Sequence, residues 1–177
     1  YMMDQKLVDM GVMPSLEVGK TAYDDYISNG LILQLKRIKL GDNLEEAHMR
    51  NRQMIAKWAY EHGKKDNVIE KVSKEGKTYF VVRDYEKLRN LFGELLKEVQ
   101  RIKSQGDYEA GKNLIEDYGV KIDYDLHKEI LERVAKLNVA PYSGFVYPTL
   151  EAVEKDGEIT DVKIKYNFNF KDQMLKY

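Results

Sequence analysis

Residues 84–105 read DYEKLRNLFGELLKEVQRIKSQ. Leu88, Leu91, Phe92, Leu95, Leu96, Val99 and Ile102 recur every three or four positions, so they share one stripe of a helix. Asp84 stands where a side-chain oxygen caps the first turn, and Gly106 follows as a stop. The opposite face alternates acids and bases and reads as a solvated, salt-bridged surface. A helix this long with one apolar stripe needs a partner body, and the flanking sequence supplies candidates.

Upstream, residues 1–10 read as the end of a helix stopped by Gly11. Residues 16–39 carry helical spacing through Leu16, Ala22, Tyr23, Tyr26, Ile27, Leu31 and Leu35, with Asn29-Gly30 as the expected irregularity. Asn43 followed by Glu46 resembles a capping box, which starts a helix at Leu44 that runs to His62 and stops at Gly63. Val68–Val72 and Lys77–Val82 alternate as strands around Glu75-Gly76. Downstream, Asp107 caps a short helix ending at Gly119, and Asp123 caps another through Leu126, Ile130, Leu131, Val134 and Leu137. From Ala140 the character changes, with Pro141, Gly144 and Pro148 as punctuation. Thr149–Val153 and Thr160–Phe168 then read as strands about Asp156-Gly157, and the tail FKDQMLKY begins one more helix. The expectation is an α+β fold, predominantly α-helical with two β-hairpins. Residues 1–138 form a helical part with an inserted hairpin at about 67–82, and 139–177 a hairpin segment.

Bulk composition narrows the function classes. The chain is 43% hydrophobic and 33% charged, which suits a soluble folded domain and not a disordered one. Lys and Arg number 29 against 30 Asp and Glu, a net charge of -1 that argues against a general nucleic-acid binder. With no cysteine there is no disulfide framework, thiolate zinc site or cysteine nucleophile, and a reducing, cytoplasmic setting is expected. No apolar run reaches membrane-spanning length, and YMMDQKLVDMG is too interrupted by acids for a secretory signal. The first residue is Tyr1 and not methionine, so the chain reads as a piece of something longer.

The chemistry-bearing residues are few. His48, His62 and His127 are the three histidines, and no HExxH pairs two of them on one helix. Phosphate-binding glycine loops and nucleophile elbows are absent. Asp24-Asp25 and Glu45-Glu46 are adjacent acids that diverge by about 100° on a helix and read as solvated. The 13 tyrosines fit either core edges or a groove for peptide or carbohydrate. In EEAHMRNRQMIAKW, residues 45–58, a wheel phased on Leu44 puts Ala47, Asn51, Ile55 and Trp58 toward the core. His48 then lies about 40° and Arg52 about 80° to one side, one helical turn apart. That places both at the border of the buried face, where an apolar stem packs and a polar head reaches into a cleft.

AHMRNRQ at 47–53 resembles the AHMxxR stretch of the dipeptidyl peptidase III family of zinc exopeptidases. RIKSQGDYEAGKNLIEDYGV at 101–120 is similar to a second block of that family, in the same order and at a fitting distance. The resemblance covers roughly residues 1–137 and weakens after Ala140, although PYSGFVYPTL is similar to the family's C-terminal strand region. It implies an enzyme that releases dipeptides from the amino ends of short peptides with a zinc-activated water. It also implies that His48 and Arg52 contact the peptide and its scissile carbonyl. The family's His-Glu-x-x-x-His and Glu-Glu-x-x-Ala-Glu motifs are missing here. The zinc ligands and the water-activating glutamate are therefore expected outside this chain, in the full-length protein. The fragment itself is expected to hold no zinc, to supply no catalytic residue, and to pack its C-terminal segment against a missing lobe. An arginine of the family's late strand aligns near Tyr142, and no arginine follows Arg133, so the resemblance does not extend to that contact. The alternative is a non-catalytic helical scaffold or peptide-binding module. Short peptides are the expected partners under the first reading, with no nucleic acid and no membrane; oligomeric state is not legible.

Overall fold

The computed structural model describes residues 5–137, 148–166, 169, 171 and 175. The chain divides into two compact units, residues 1–139 and 140–177. It is α+β and mainly helical, with two antiparallel hairpins. The first unit holds α1 (Gln5–Asp9), α2 (Leu16–Leu31), a 3₁₀ segment (Leu33–Arg37), α3 (Ala47–His62), β1 (Ile69–Lys74), β2 (Lys77–Val82), α4 (Tyr85–Gln105), α5 (Tyr108–Ile115) and α6 (Tyr124–Leu137).

The expected stops and caps are local chemistry, and most hold. Gly11 and Gly106 adopt φ of +70° and +64°, the left-handed turn that ends a helix cheaply only at glycine. Asp84, Asp107 and Asp123 accept from the backbone N–H of Lys87, Ala110 and Leu126. Hairpin β1–β2 turns at Glu75-Gly76, both with positive φ, the geometry whose twist matches that of paired strands.

Three expectations about the first half are corrected. Asn29-Gly30 does not interrupt α2; the helix runs through it and breaks at Ile32. The reason is a close approach. A Cβ on Gly30 would lie 2.7 Å from both the Arg52 carbonyl oxygen and the Ala56 Cβ, so Gly30 is there to let α2 touch α3. Asn43 caps nothing, and α3 starts at Ala47 and not at Leu44. Leu44 is fully buried in extended chain; its N–H bonds to the Val120 carbonyl and its carbonyl accepts from Arg50 Nε. Glu46 is the cap, its two carboxylate oxygens accepting from His48 N at 2.9 Å and Met49 N at 2.8 Å. The wheel phased on Leu44 therefore fails at Ala47 and Asn51 and holds at Trp58 and, in part, Ile55. Ala47 and Asn51 are exposed, Ile55 is half-buried, and Gln53, Met54, Ala56 and Ala59 face the core together with Trp58.

Helix α3 is the axis of this unit. On one side lies α2; on the other lies a π-helical turn, Glu116–Val120, that extends α5 past Ile115 and includes the expected stop at Gly119. Gly119 repeats the device of Gly30: its missing side chain would sit 3.2 Å from the Arg50 carbonyl. Ile27, Leu35, Val68, Ile69 and Leu88 complete the core around this axis. The hairpin is tied to α6 by Glu129, which accepts from Thr78 N at 2.8 Å and Thr78 Oγ1 at 2.6 Å and is itself bridged by Arg133. Burial opposes the charge on Glu129, but these bonds outweigh it and hold the carboxyl below its usual range.

In the second unit, β3 (Thr149–Lys155) pairs with β4 (Glu158–Lys165) around Asp156-Gly157. Leu150 stands opposite Ile164 and Ala152 opposite Val162, so one face is apolar and exposed. The expected strand end at Phe168 and the position near Tyr142 lie outside the described residues, as does most of the expected tail helix.

Candidate functional site

His48 and Arg52 occupy successive turns of α3 on the side that the structure leaves in solvent. Both side chains are exposed, and neither makes a hydrogen bond or ion pair with the described residues. They are not at the border the wheel gave them; the helix is rotated from that phase, and its core side lies elsewhere. Their surroundings are nonetheless specific. Backbone N–H groups from His48 and Met49 hold the Glu46 carboxyl below its usual range, with the nearby charges of His48 and Arg52 adding to the effect. Burial raises the pKa of the Tyr26 phenol, and the Arg52 charge partly offsets it, so the guanidinium lies within electrostatic reach of Tyr26.

Tyr26 leads into an apolar groove of about 410 Å³ between α2, α3 and α4. Asn51, expected to face the core, lines it instead, together with Ile55, which also packs against the core. Its wall is aromatic: Phe92 meets Tyr23 edge-on at 5.3 Å and Tyr26 at 6.2 Å. Leu96, counted in the apolar stripe of α4, is 49% exposed because it borders this groove and not the sealed core. Sequence reasoning missed the groove. The signal was present in the width of the stripe, since Leu88 and Leu95 are its buried centre and Phe92, Leu96 and Val99 widen it toward the groove.

The other two histidines are committed to structure. His127 is buried, with Nε2 3.2 Å from the Leu35 carbonyl and 3.1 Å from that of Ile38. Two acceptors fix the proton on Nε2. His62 stacks on Trp58 at 3.8 Å, and its Nδ1 donates to the Trp58 carbonyl at 2.9 Å. Asp24, one of the paired acids read as solvated, instead accepts the Tyr85 hydroxyl through both oxygens, at 2.9 and 2.8 Å. Burial and that bond push the Tyr85 phenol up to about 12. Among the described residues, no three His, Asp or Glu side chains converge to hold a metal ion. Nor is any helix among them long and apolar enough to cross a membrane.

Fold and site together describe a helical α+β unit with one exposed imidazole–guanidinium pair beside an aromatic groove. No family model matches the chain, and no curated protein does.

Proposed function

We propose that this chain forms one wall of the peptide-binding cleft of a zinc-dependent exopeptidase of the dipeptidyl peptidase III kind. Two sequence blocks, AHMRNRQ and RIKSQGDYEAGKNLIEDYGV, support the family reading by their order and spacing. The observation that carries the role is that His48 and Arg52 stand one turn apart in solvent with their polar heads unspent. An arginine fork donates two parallel bonds to a carboxylate, or one to a carbonyl in fixed orientation, and an imidazole offers a further ring nitrogen beside it. His48 lies in the first turn of α3. In this reading the peptide lies along the exposed side of α3. The metal, its ligands and the water-activating glutamate come from polypeptide outside these 177 residues, and the zinc when bound would activate the attacking water. The chain alone has no peptidase activity.

A second reading, a non-catalytic peptide-binding module, is favoured by the aromatic groove, which offers an apolar side chain a place beside Arg52. An assay of the isolated chain with a dipeptidyl-arylamide, with and without added zinc, tests the division of labour. No turnover is expected under either condition; zinc-dependent turnover would mean that a catalytic centre resides in this segment. Short peptides titrated against the chain should bind more weakly after Arg52→Ala, and unchanged binding would remove Arg52 from the cleft.

A further inference from the structure

The side of α3 away from His48 and Arg52 borders a second hollow, of about 450 Å³, within the range of small-molecule sites. Four ammonium groups come to its lining: Lys57, Lys64, Lys71 on β1, and Lys121. Two acids, Glu61 and Asp123, also border it. Asp123 is engaged as the cap of α6 through Leu126 N. None of the four lysines forms an ion pair with the described residues, although both acids are at hand. Lys57 Nζ makes only a bond to the Asp117 carbonyl, at 2.8 Å, and Lys64 Nζ sits over the Tyr60 ring at 5.0 Å. In a chain of net charge -1 this is a local excess of unpaired cations.

Two further features make the hollow more than a charged surface. Tyr60 and Phe80, edge to face at 5.2 Å, give it an aromatic wall. Gln53 is only 4% exposed, and its Nε2 donates to the Tyr118 and Lys121 carbonyls at 3.2 and 3.1 Å. Those two bonds fix the amide, and its oxygen takes no bond from the described residues.

From this set we infer that the hollow binds a small phosphorylated heteroaromatic molecule, a nucleoside monophosphate being the simplest form. The phosphate meets the lysines, which bind phosphate as point charges. The flat ring lies against Tyr60 and Phe80, and a ring amine donates to Gln53 Oε1. The site is independent of the peptide reading, because it uses other residues on another side of α3.

Isothermal titration of the chain with adenosine monophosphate, adenosine and inorganic phosphate tests it. The monophosphate should bind at one saturable site with Kd below about 1 mM, and adenosine and phosphate should each bind at least about tenfold more weakly. The exposed double variant Lys71→Glu/Lys121→Glu should weaken the monophosphate by about tenfold or more at low salt while its thermal midpoint stays that of the parent. No saturation by about 5 mM, equal binding by the double variant, or phosphate alone binding as well as the nucleotide would each overturn the assignment.

Discussion

Gly30→Ala is the most informative single change to the scaffold of the candidate site. In an ordinary helix interior the added methyl would stabilise by about 1 kcal/mol through helix propensity. Here its carbon would stand 2.7 Å from the Arg52 carbonyl oxygen and 2.7 Å from Ala56 Cβ, well inside van der Waals contact. One neighbour is backbone and the other is the first carbon of a side chain, so neither can rotate away. Helices α2 and α3 must separate, and overpacking of this kind costs about 1–3 kcal/mol or more. Because both contacts are unusually short, the upper part of that range applies, and the net is a loss of about 2 kcal/mol. For a chain of this size that lowers the thermal midpoint by about 4–8 °C. Circular dichroism melts of parent and variant measure it directly. The same separation displaces the turn that carries Arg52, so peptide binding should weaken along with stability. A variant as stable as the parent, or more stable, would refute the close approach and with it the placement of α3 against α2.

Other changes probe separate contacts. Tyr85→Phe should cost about 1 kcal/mol at neutral pH, the low end for a bond to a carboxylate because the pair is partly in water. The folded phenol titrates near 12 against 10.0 when unfolded, so the contribution is complete below pH 10 and disappears as pH rises toward 12. Parent and variant stability in denaturant should therefore converge over that window. Glu46→Ala removes the cap of α3 and should lower the melting midpoint at neutral pH. The folded carboxyl titrates below 4.5, so the difference is present above that pH and lost as pH falls through the lower folded value. His127→Leu leaves the Leu35 and Ile38 carbonyls without their imidazole donor and should cost about 2 kcal/mol by chemical denaturation. A neutral result there would mean the ring does not bridge those carbonyls.

What could be read from the residues divides along a physical line. Caps, stops and turns are decided within a few residues, which is why Asp84, Gly106, Asp107, Asp123 and the Glu75-Gly76 turn were legible. Long-range packing decided the rest. Asn29-Gly30 looks like a turn until Ala56, distant in sequence, makes its glycine a contact surface. Leu44 looks like the first apolar position of a helix until Val120 takes its N–H and holds it extended. That one error rotated the whole wheel of α3. It put Asn51 inward and hid the aromatic groove that Asn51 lines. His48 and Arg52 were singled out because i,i+4 spacing survives any rotation of the wheel. Their side of the helix does not survive it, and only packing supplied that.

Arg52, if it holds the peptide as proposed, leaves its mark on turnover. On the proposed reading, the full-length protein loaded with zinc should release dipeptides from a short peptide. Arg52→Ala in that protein should lower kcat/KM by about tenfold or more while the melting midpoint stays within about 1 °C. Absence of dipeptide release, or kinetics untouched by losing the guanidinium, would contradict the assignment.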